Sequence, residues 1–450
     1  MPPSRDDLLR WDREHVWHAF TQMAEYEPLL IERGEGCTLI DIDGNRYLDA
    51  VSSLWCNVHG HRHPRIDAAI RSQLDKIAHT TLLGAGNPTT AELARRLVEI
   101  APAGLNHVFF SDSGATAVEV ALKMAFQYWQ QRSDPRPKKT RFAALSEAYH
   151  GDTIGSVSLG GIDQFHEMFR PLLFDVLRLP IPDSYRLPPG VSNETALAHY
   201  AAEIERLVAE HHESLAALVV EPLVQGAAGM VMHPSGLLAA LRDITRRYDV
   251  LLIADEVAVG FGRTGTMFAC EQERVAPEIL CLAKGITGGY LPLSATLATD
   301  DIWNAFLGGY AESKTLYHGH TYGGNPLGAA AALATLDVFA EEQTLARLPP
   351  KIARMGEHLE RIAAHPRVGD TRRRGLIAGI ELVADKSTKS PLPWTERWGH
   401  RVCLAARKHG VLMRPLGNVL VWMPPLAISL EELDRIAAAT EAALAEVCRE

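Results

Sequence analysis

Leu282-Ala283-Lys284-Gly285 places a lysine at the end of an apolar run, 29 residues after Asp255, which itself closes the run Leu251-Leu252-Ile253-Ala254. A lysine among apolar neighbours can lose its proton and attack a carbonyl, and a carboxylate at a fixed distance can keep a pyridine nitrogen protonated. A solvated lysine at a strand end is the plain alternative. Ser111-Asp112-Ser113-Gly114-Ala115-Thr116 is a turn of small residues entering a helical pattern. Exposed N–H groups and the helix dipole favour an anion there, a single phosphate better than a pyrophosphate, although the same residues also read as a simple N-cap. Lysine, aspartate and a phosphate-holding helix start are together the groups that pyridoxal phosphate requires.

Two other phosphate motifs compete. Asp255-Glu256 after an apolar strand would suit the magnesium-holding strand of an NTPase, but the chain has no Gly-x-x-x-x-Gly-Lys-Ser/Thr loop to cradle the phosphates. Gly260-Phe261-Gly262-Arg263-Thr264-Gly265 formally matches a dinucleotide fingerprint. The two carboxylates just before it would oppose a pyrophosphate, and glycines serving a tight loop at the sheet edge account for it better. His59, His61 and His63 could share one strand face as metal ligands, but they sit in a Gly/Pro-rich turn without a closed ligand set, so no metal is expected.

The elements that must hold these groups read as α/β. Phe142–Leu145, Ala217–Val220, Val250–Ala254, Ile279–Leu282 and Ser294–Ala298 are short apolar runs alternating with helical patterns, as in a mainly parallel sheet covered on both faces. A helix is predicted from Gly114 to Gln131, with Val118, Ala121, Leu122, Ala125 and Trp129 on its buried side. Arg132–Lys139 and Pro180–Ser192 read as surface loops. After about Thr335 amphipathic helices take over, with strands at Leu376–Val383 and Val419–Met423 and a helix from Leu430 to the end, which suggests a second, smaller α+β domain.

Composition narrows the function classes. The 450 residues are 47% apolar and 22% charged, which excludes disorder, and the net charge of −10 offers no basic field for nucleic acid or an anionic membrane. Met1–Arg10 lacks the apolar core of a secretory signal, and no apolar stretch approaches bilayer length. Six scattered cysteines with no Cys-x-x-Cys pair fit a reducing cytoplasm.

From about Trp17 to Pro425 the sequence resembles the fold-type I, class III pyridoxal-phosphate aminotransferases. The resemblance rests on Leu252–Val257 with Gly260–Gly265, on Lys284-Gly285-Ile286-Thr287-Gly288-Gly289, and on Ser52–His61, Ala148–Thr153, His318–Tyr322 and Arg414–Gly417. Within that class it is most similar to the biotin-pathway members. The resemblance implies a large domain with a mainly parallel seven-stranded sheet flanked by helices (60–335), a smaller α+β domain (336–450), and an N-terminal segment (1–59) contributing to the small domain and a substrate tunnel.

It further implies that Lys284 anchors the cofactor and shuttles the proton, Asp255 pairs with the ring nitrogen, and Tyr149 lies against the ring. Gly114 and Ala115 would bind the phosphate through their amides, with Thr321 and the amide of His320 completing that site from the second subunit of a homodimer. Glu221 and Gln225 are candidates for the polar network. Arg414 suits a substrate carboxylate, Phe20, Leu54 and Trp55 suit tunnel walls, and Asp152 and Gly319 are further substrate contacts. The implied reaction is transfer of an amino group from S-adenosylmethionine to 8-amino-7-oxononanoate. The chain departs from the better-known pattern at Phe20, Leu54, Val259 and Val421. Lysine or another amine as donor, another ω-aminotransferase of the class, and a non-catalytic cofactor-binding protein therefore stay open as alternatives.

Overall fold

The apolar runs become strands because their side chains are covered on both faces. In the computed structural model, which describes residues 3–448, Leu215–Val220, Leu251–Asp255 and Ile279–Leu282 are buried along their whole length. Each fully buried aliphatic side chain contributes roughly 1.5–3 kcal/mol. In spatial order the seven-stranded sheet runs Leu105–Ser111, Ser294–Thr299, Ile279–Leu282, Leu251–Asp255, Leu215–Val220, Arg141–Leu145 and Val176–Leu179. Ser294–Thr299 opposes both its neighbours and every other pairing is parallel. Six strands therefore point their carboxyl ends at one edge, where open parallel sheets bind ligands.

The predicted helix Gly114–Gln131 is present, and its start is capped twice: Ser113 Oγ accepts from the Thr116 amide, and Thr116 Oγ1 accepts from the Ser113 amide. Val118, Ala121, Leu122, Ala125 and Trp129 are buried against the sheet, with Trp129 Nε1 donating to Ala216 O at 2.8 Å. Pro180–Ser192 is irregular as expected. Arg132–Lys139 is irregular too, but Lys139 is not at the surface. Its ammonium is buried over the Trp129 ring and donates to the carbonyls of His212, Leu215 and Asp249, which offsets the cost of burying a charge.

Strands Ile31–Glu35, Thr38–Asp41 and Arg46–Asp49 form an N-terminal sheet whose fourth strand is Val411–Leu412, so the two ends of the chain share one sheet. Beside it Val368–Arg374, Ile377–Asp385, Val419–Trp422 and Arg414–Leu416 make a second antiparallel sheet. Leu348–Ala363, Trp398–Lys408 and Leu430–Val447 are the helices of this region. Of the expected features at the chain ends, Met1, Pro2, Arg449 and Glu450 lie outside the described residues. No helix among the described residues is long and apolar enough to cross a membrane.

The glycine-rich stretch after Asp255 is a structural clamp. Gly262 has φ +85°, and a Cβ there would lie 2.5 Å from Leu426 Cδ1, so neither its conformation nor its surroundings admit a side chain. Arg263 is fully buried, and its guanidinium donates to Pro424 O and Asn57 O at 2.5 and 2.7 Å. It thereby ties the large sheet to the two segments that carry Trp55 and Val421. Val259, an expected oddity, is an ordinary core position, 1% exposed. Arg263→Ala strands two buried carbonyls and opens a void, so a loss of about 3 kcal/mol or more is expected in urea unfolding; a loss under about 1 kcal/mol would deny the clamp its role.

Candidate active site

The carboxyl edge of the sheet opens into a cavity of about 1100 Å³. Asp255 and Lys284 meet there because their strands are parallel neighbours, with Asp255 opposite Cys281. Asp255 is 5% exposed and doubly held: one oxygen accepts from the Val257 amide at 3.0 Å, and the other lies 2.7 Å from His150 Nδ1. Lys284 begins a short 3-10 turn at φ +46°, a left-handed conformation that costs a side-chain-bearing residue on the order of 1 kcal/mol. Its neighbour Gly285 is pressed against Phe261, where a Cβ would fall 2.8 Å from Phe261 Cβ, so the packing enforces the turn. The ammonium lies 4.9 Å from the Trp55 ring centroid. Burial pushes the Lys284 amine down from its ordinary value, against the opposing pull of Asp255 and Glu221.

The loop after Arg141–Leu145 supplies the next wall. Tyr149 lines the cavity, with the His166 ring nearly parallel to it at 6.3 Å, and its hydroxyl donates to Asp152 Oδ2 at 2.6 Å. Gly151, at φ +122°, lets this loop close on the helix start: a Cβ would sit 2.4 Å from Ala115 Cβ. Glu221 is buried at the end of the neighbouring strand and accepts from the Tyr149 and Gly226 amides at 3.1 and 2.9 Å. At the helix start, Gly114 and Ala115 occupy the first two positions, whose amides have no acceptor within the helix.

Arg414 faces the same cavity from its hairpin, paired across strands with Val421, and both side chains line the wall. Phe20, Leu54 and Trp55 line it as expected. Three expected residues do not. Gly319, His320 and Thr321 do not line the cavity, and the stretch just before them runs along the Gly114–Gln131 helix. There Gln127 Nε2 donates to Lys314 O and Thr315 O, and Lys123 Nζ is 3.0 Å from His318 Nδ1. His320 Nδ1 pairs instead with Asp112 Oδ2 at 2.6 Å. Gln225 is also turned away, its amide donating to Ser146 O and its carbonyl meeting His233. His150, Glu147 and Phe165 line the site without having been singled out. His150 lay in a motif, but its contact with Asp255 crosses an intervening strand and has no sequence signal.

His59, His61 and His63 go to three different partners, Thr335 O, Asp49 and Glu342, and no group that could hold a metal is assembled among the described residues. The remaining groups fit pyridoxal phosphate. They are free amides at a helix start, a flat aromatic wall, an anchored carboxylate, and an amine whose neutral form burial favours.

Residues 21–444 match the class-III aminotransferase family. The chain is 59% identical to an adenosylmethionine-8-amino-7-oxononanoate aminotransferase of Nitratidesulfovibrio vulgaris, over 96% of this chain and 81% of that protein. It is 45% identical to a crystal structure of an aminotransferase of the same name from Methanocaldococcus jannaschii, at a TM-score of 0.93 over 99% of this chain and all of that one. An amine transaminase of an uncultivated Pseudomonas species, solved in its PLP-bound form, superposes at 0.92 with 39% identity, over 96% of this chain and 99% of that one.

Burial raises Glu221 to about 7, and Glu256, beneath the cavity floor with its carboxylate on the Ala269 and Cys270 amides, also to about 7. Folded carboxyls with raised values keep protons that the unfolded chain has released. Their contribution is complete below the ordinary value of 4.5 and is lost as pH rises through about 7. In urea unfolding this component of the stability should fall from pH 5 to 7, against the rise contributed by buried His59 and His233, which are pushed down to about 4 and about 3. Glu221→Gln, though less stable outright because its amide NH2 faces a donor, should lessen that fall by about 1 kcal/mol per pH unit. An unaltered slope would remove Glu221 as a contributor.

Proposed function

The chain belongs to the class-III aminotransferases, and from that premise we propose that it transfers the amino group of S-adenosylmethionine to 8-amino-7-oxononanoate, giving 7,8-diaminononanoate in biotin synthesis. The observation that carries this reading is one cavity holding Lys284 and Asp255 on adjacent strand ends together with Arg414. Pyridoxal phosphate is the cofactor; when bound, its ring supplies an electron sink for a carbon that must lose and regain a proton.

The residues divide the work. Lys284, its neutral form favoured by burial, would anchor the cofactor and, as a free amine, would hold and move the proton at the carbon bearing the transferred nitrogen. Asp255, oriented by His150 and the Val257 amide, would pair with the ring nitrogen and keep its proton in place. The Gly114 and Ala115 amides bind the phosphate. Tyr149 supports the ring face, backed by His166. Arg414 grips the keto acid's carboxylate through a planar fork, and Phe20, Leu54, Trp55 and Val421 line the path of its methylene chain. Asp152, held by the Tyr149 hydroxyl, suits the amino group beside the ketone.

The active form in this reading is a cytoplasmic homodimer in which Gly319, His320 and Thr321 complete the site of the other copy. Two features support it: Gly319 and Thr321 are exposed, and exposed Leu82, Leu83, Tyr317 and Tyr322 belong to the same part of the chain's surface. The second reading, lysine or another amine as donor, is favoured by the absence of hydroxyls at Phe20 and Val421 on the cavity wall. A non-catalytic role fits poorly with the retention of both Lys284 and Asp255.

Loading the enzyme with each donor and following the cofactor's absorbance decides the donor. Conversion by S-adenosylmethionine is expected, and conversion by lysine alone would reassign it. Lys284→Ala should abolish turnover, and undiminished turnover would overturn the mechanism. Arg414→Lys, which loses the bidentate fork, should raise KM for the keto acid about tenfold with little change in kcat; an unchanged KM would take Arg414 out of the site.

A further inference from the structure

Five carboxylates line the cavity, and four of them are engaged. Asp112 meets His320, Asp152 accepts from the Tyr149 hydroxyl, Glu221 accepts two amides, and Asp255 is held by His150 and the Val257 amide. The fifth, Glu147, has no hydrogen bond or ion pair through its carboxylate among the described residues. It is half-buried, in the left-handed conformation at φ +59°, and its backbone is wedged against Gly161, where a Cβ would lie 2.6 Å from the Glu147 amide nitrogen. The loop is therefore fixed, and the carboxylate is held at the cavity wall without a protein partner. Half-burying an unpaired charge is unfavourable, and a positively charged ligand group would offset the cost. Burial already pushes the Glu147 carboxyl up from its ordinary value, helped by Asp163.

Arg414 is the counterpart of opposite sign: it lines the cavity, is exposed to it, and forms no ion pair among the described residues. Lys284, by contrast, already lies against Trp55. The wall thus presents one unpaired anion and one unpaired cation, from different parts of the chain. Glu147 follows the strand Arg141–Leu145 and Lys284 follows Ile279–Leu282, with two strands of the sheet between them. Glu147 therefore stands apart from the reacting nitrogen and suits a cation that takes no part in the chemistry.

We propose that Glu147 is a specificity residue for the amino donor, recognising a second, non-reacting positive charge such as a sulfonium or a distal ammonium. This rests on the aminotransferase reading and deepens it, because it selects donors by charge rather than by name. A single carboxylate would serve S-adenosylmethionine and lysine alike, which differ in shape but share a cation several bonds from the transferred nitrogen.

Donor pairs that differ in that charge test it: S-adenosylmethionine against S-adenosylhomocysteine, and lysine against norleucine, titrated by the absorbance change of the cofactor-loaded enzyme. The wild type should reach half-saturation at a lower concentration with the cationic member of each pair that reacts. Glu147→Gln should cut that preference about tenfold, acting on half-saturation and not on the limiting rate, with the neutral member's half-saturation within about twofold of wild type. Glu147→Asp, which keeps the sign, should retain most of the preference. Equal losses for both members, a loss confined to the limiting rate, or an undiminished preference in Glu147→Gln would overturn the proposal while leaving the aminotransferase reading intact. If no donor alters the absorbance, the aminotransferase reading itself falls, and this proposal with it.

Discussion

The register between two parallel strands governs this site. Leu251–Asp255 lies beside Ile279–Leu282 with Asp255 opposite Cys281, and neighbouring strands run about 4.8 Å apart. That spacing brings a carboxylate and an amine to one cavity even though 28 residues separate them in the chain. The alternation along a strand makes the register decisive. Asp255 faces the cavity, whereas Glu256 is buried beneath it on the Ala269 and Cys270 amides. A slip of one residue would exchange their faces, sending Asp255 into the core without its partners. The uninterrupted apolar strands on either side make such a slip costly, so the chemistry inherits its precision from the core.

Unfavourable local states gather at the same edge. Ser52, Ser53, Trp55, Glu147 and Lys284 all have φ between +46° and +63°, and Lys284, Glu221 and Glu256 all have burial working against their charged forms. Neither kind of state persists unless its surroundings over-determine it. Here the surroundings are Gly285 against Phe261, Gly161 against Glu147, and the Arg263 clamp on Asn57 and Pro424. The glycines and the buried arginine act as supports for the strained segments, which gives the stretch that formally matches a dinucleotide fingerprint a structural reason for its residues.

Five of the seven strands of the large sheet, the capped helix and the groups at their ends were legible in the sequence, because each is a local pattern: an apolar run, a small-residue turn, a lysine or aspartate closing a strand; Leu105–Ser111 and Val176–Leu179, the two edge strands, were not singled out. Contacts made across the fold were not. His150 reaches Asp255 over an intervening strand. Lys139 sits in a charged loop, yet it is drawn inward by three carbonyls contributed by separate segments. Gly319, His320 and Thr321 carried a motif, but none of them lines the cavity, and His320 turns to Asp112. A motif reports residue type and spacing; it does not report which side chains the fold brings to the cavity.

Chemistry and selectivity occupy different elements here. Asp255, Lys284, Glu221 and the helix start all follow carboxyl ends of the central sheet, so they move only if the core moves. Phe20, Leu54, Arg414 and Val421 stand on the N-terminal stretch, a short turn and a hairpin outside the central sheet, while Glu147 stands two residues past the end of Arg141–Leu145 on the rim of that sheet. Substitutions at those positions reshape the cavity wall without displacing Asp255 and Lys284 at the sheet edge. A fold shared between transaminases that take different amines follows from that separation, and so does the placement of an unpaired carboxylate and an unpaired guanidinium on the walls. Unpaired charges there are tolerated because the rigid half of the site does not depend on them, and they become favourable once a ligand of matching charge is bound.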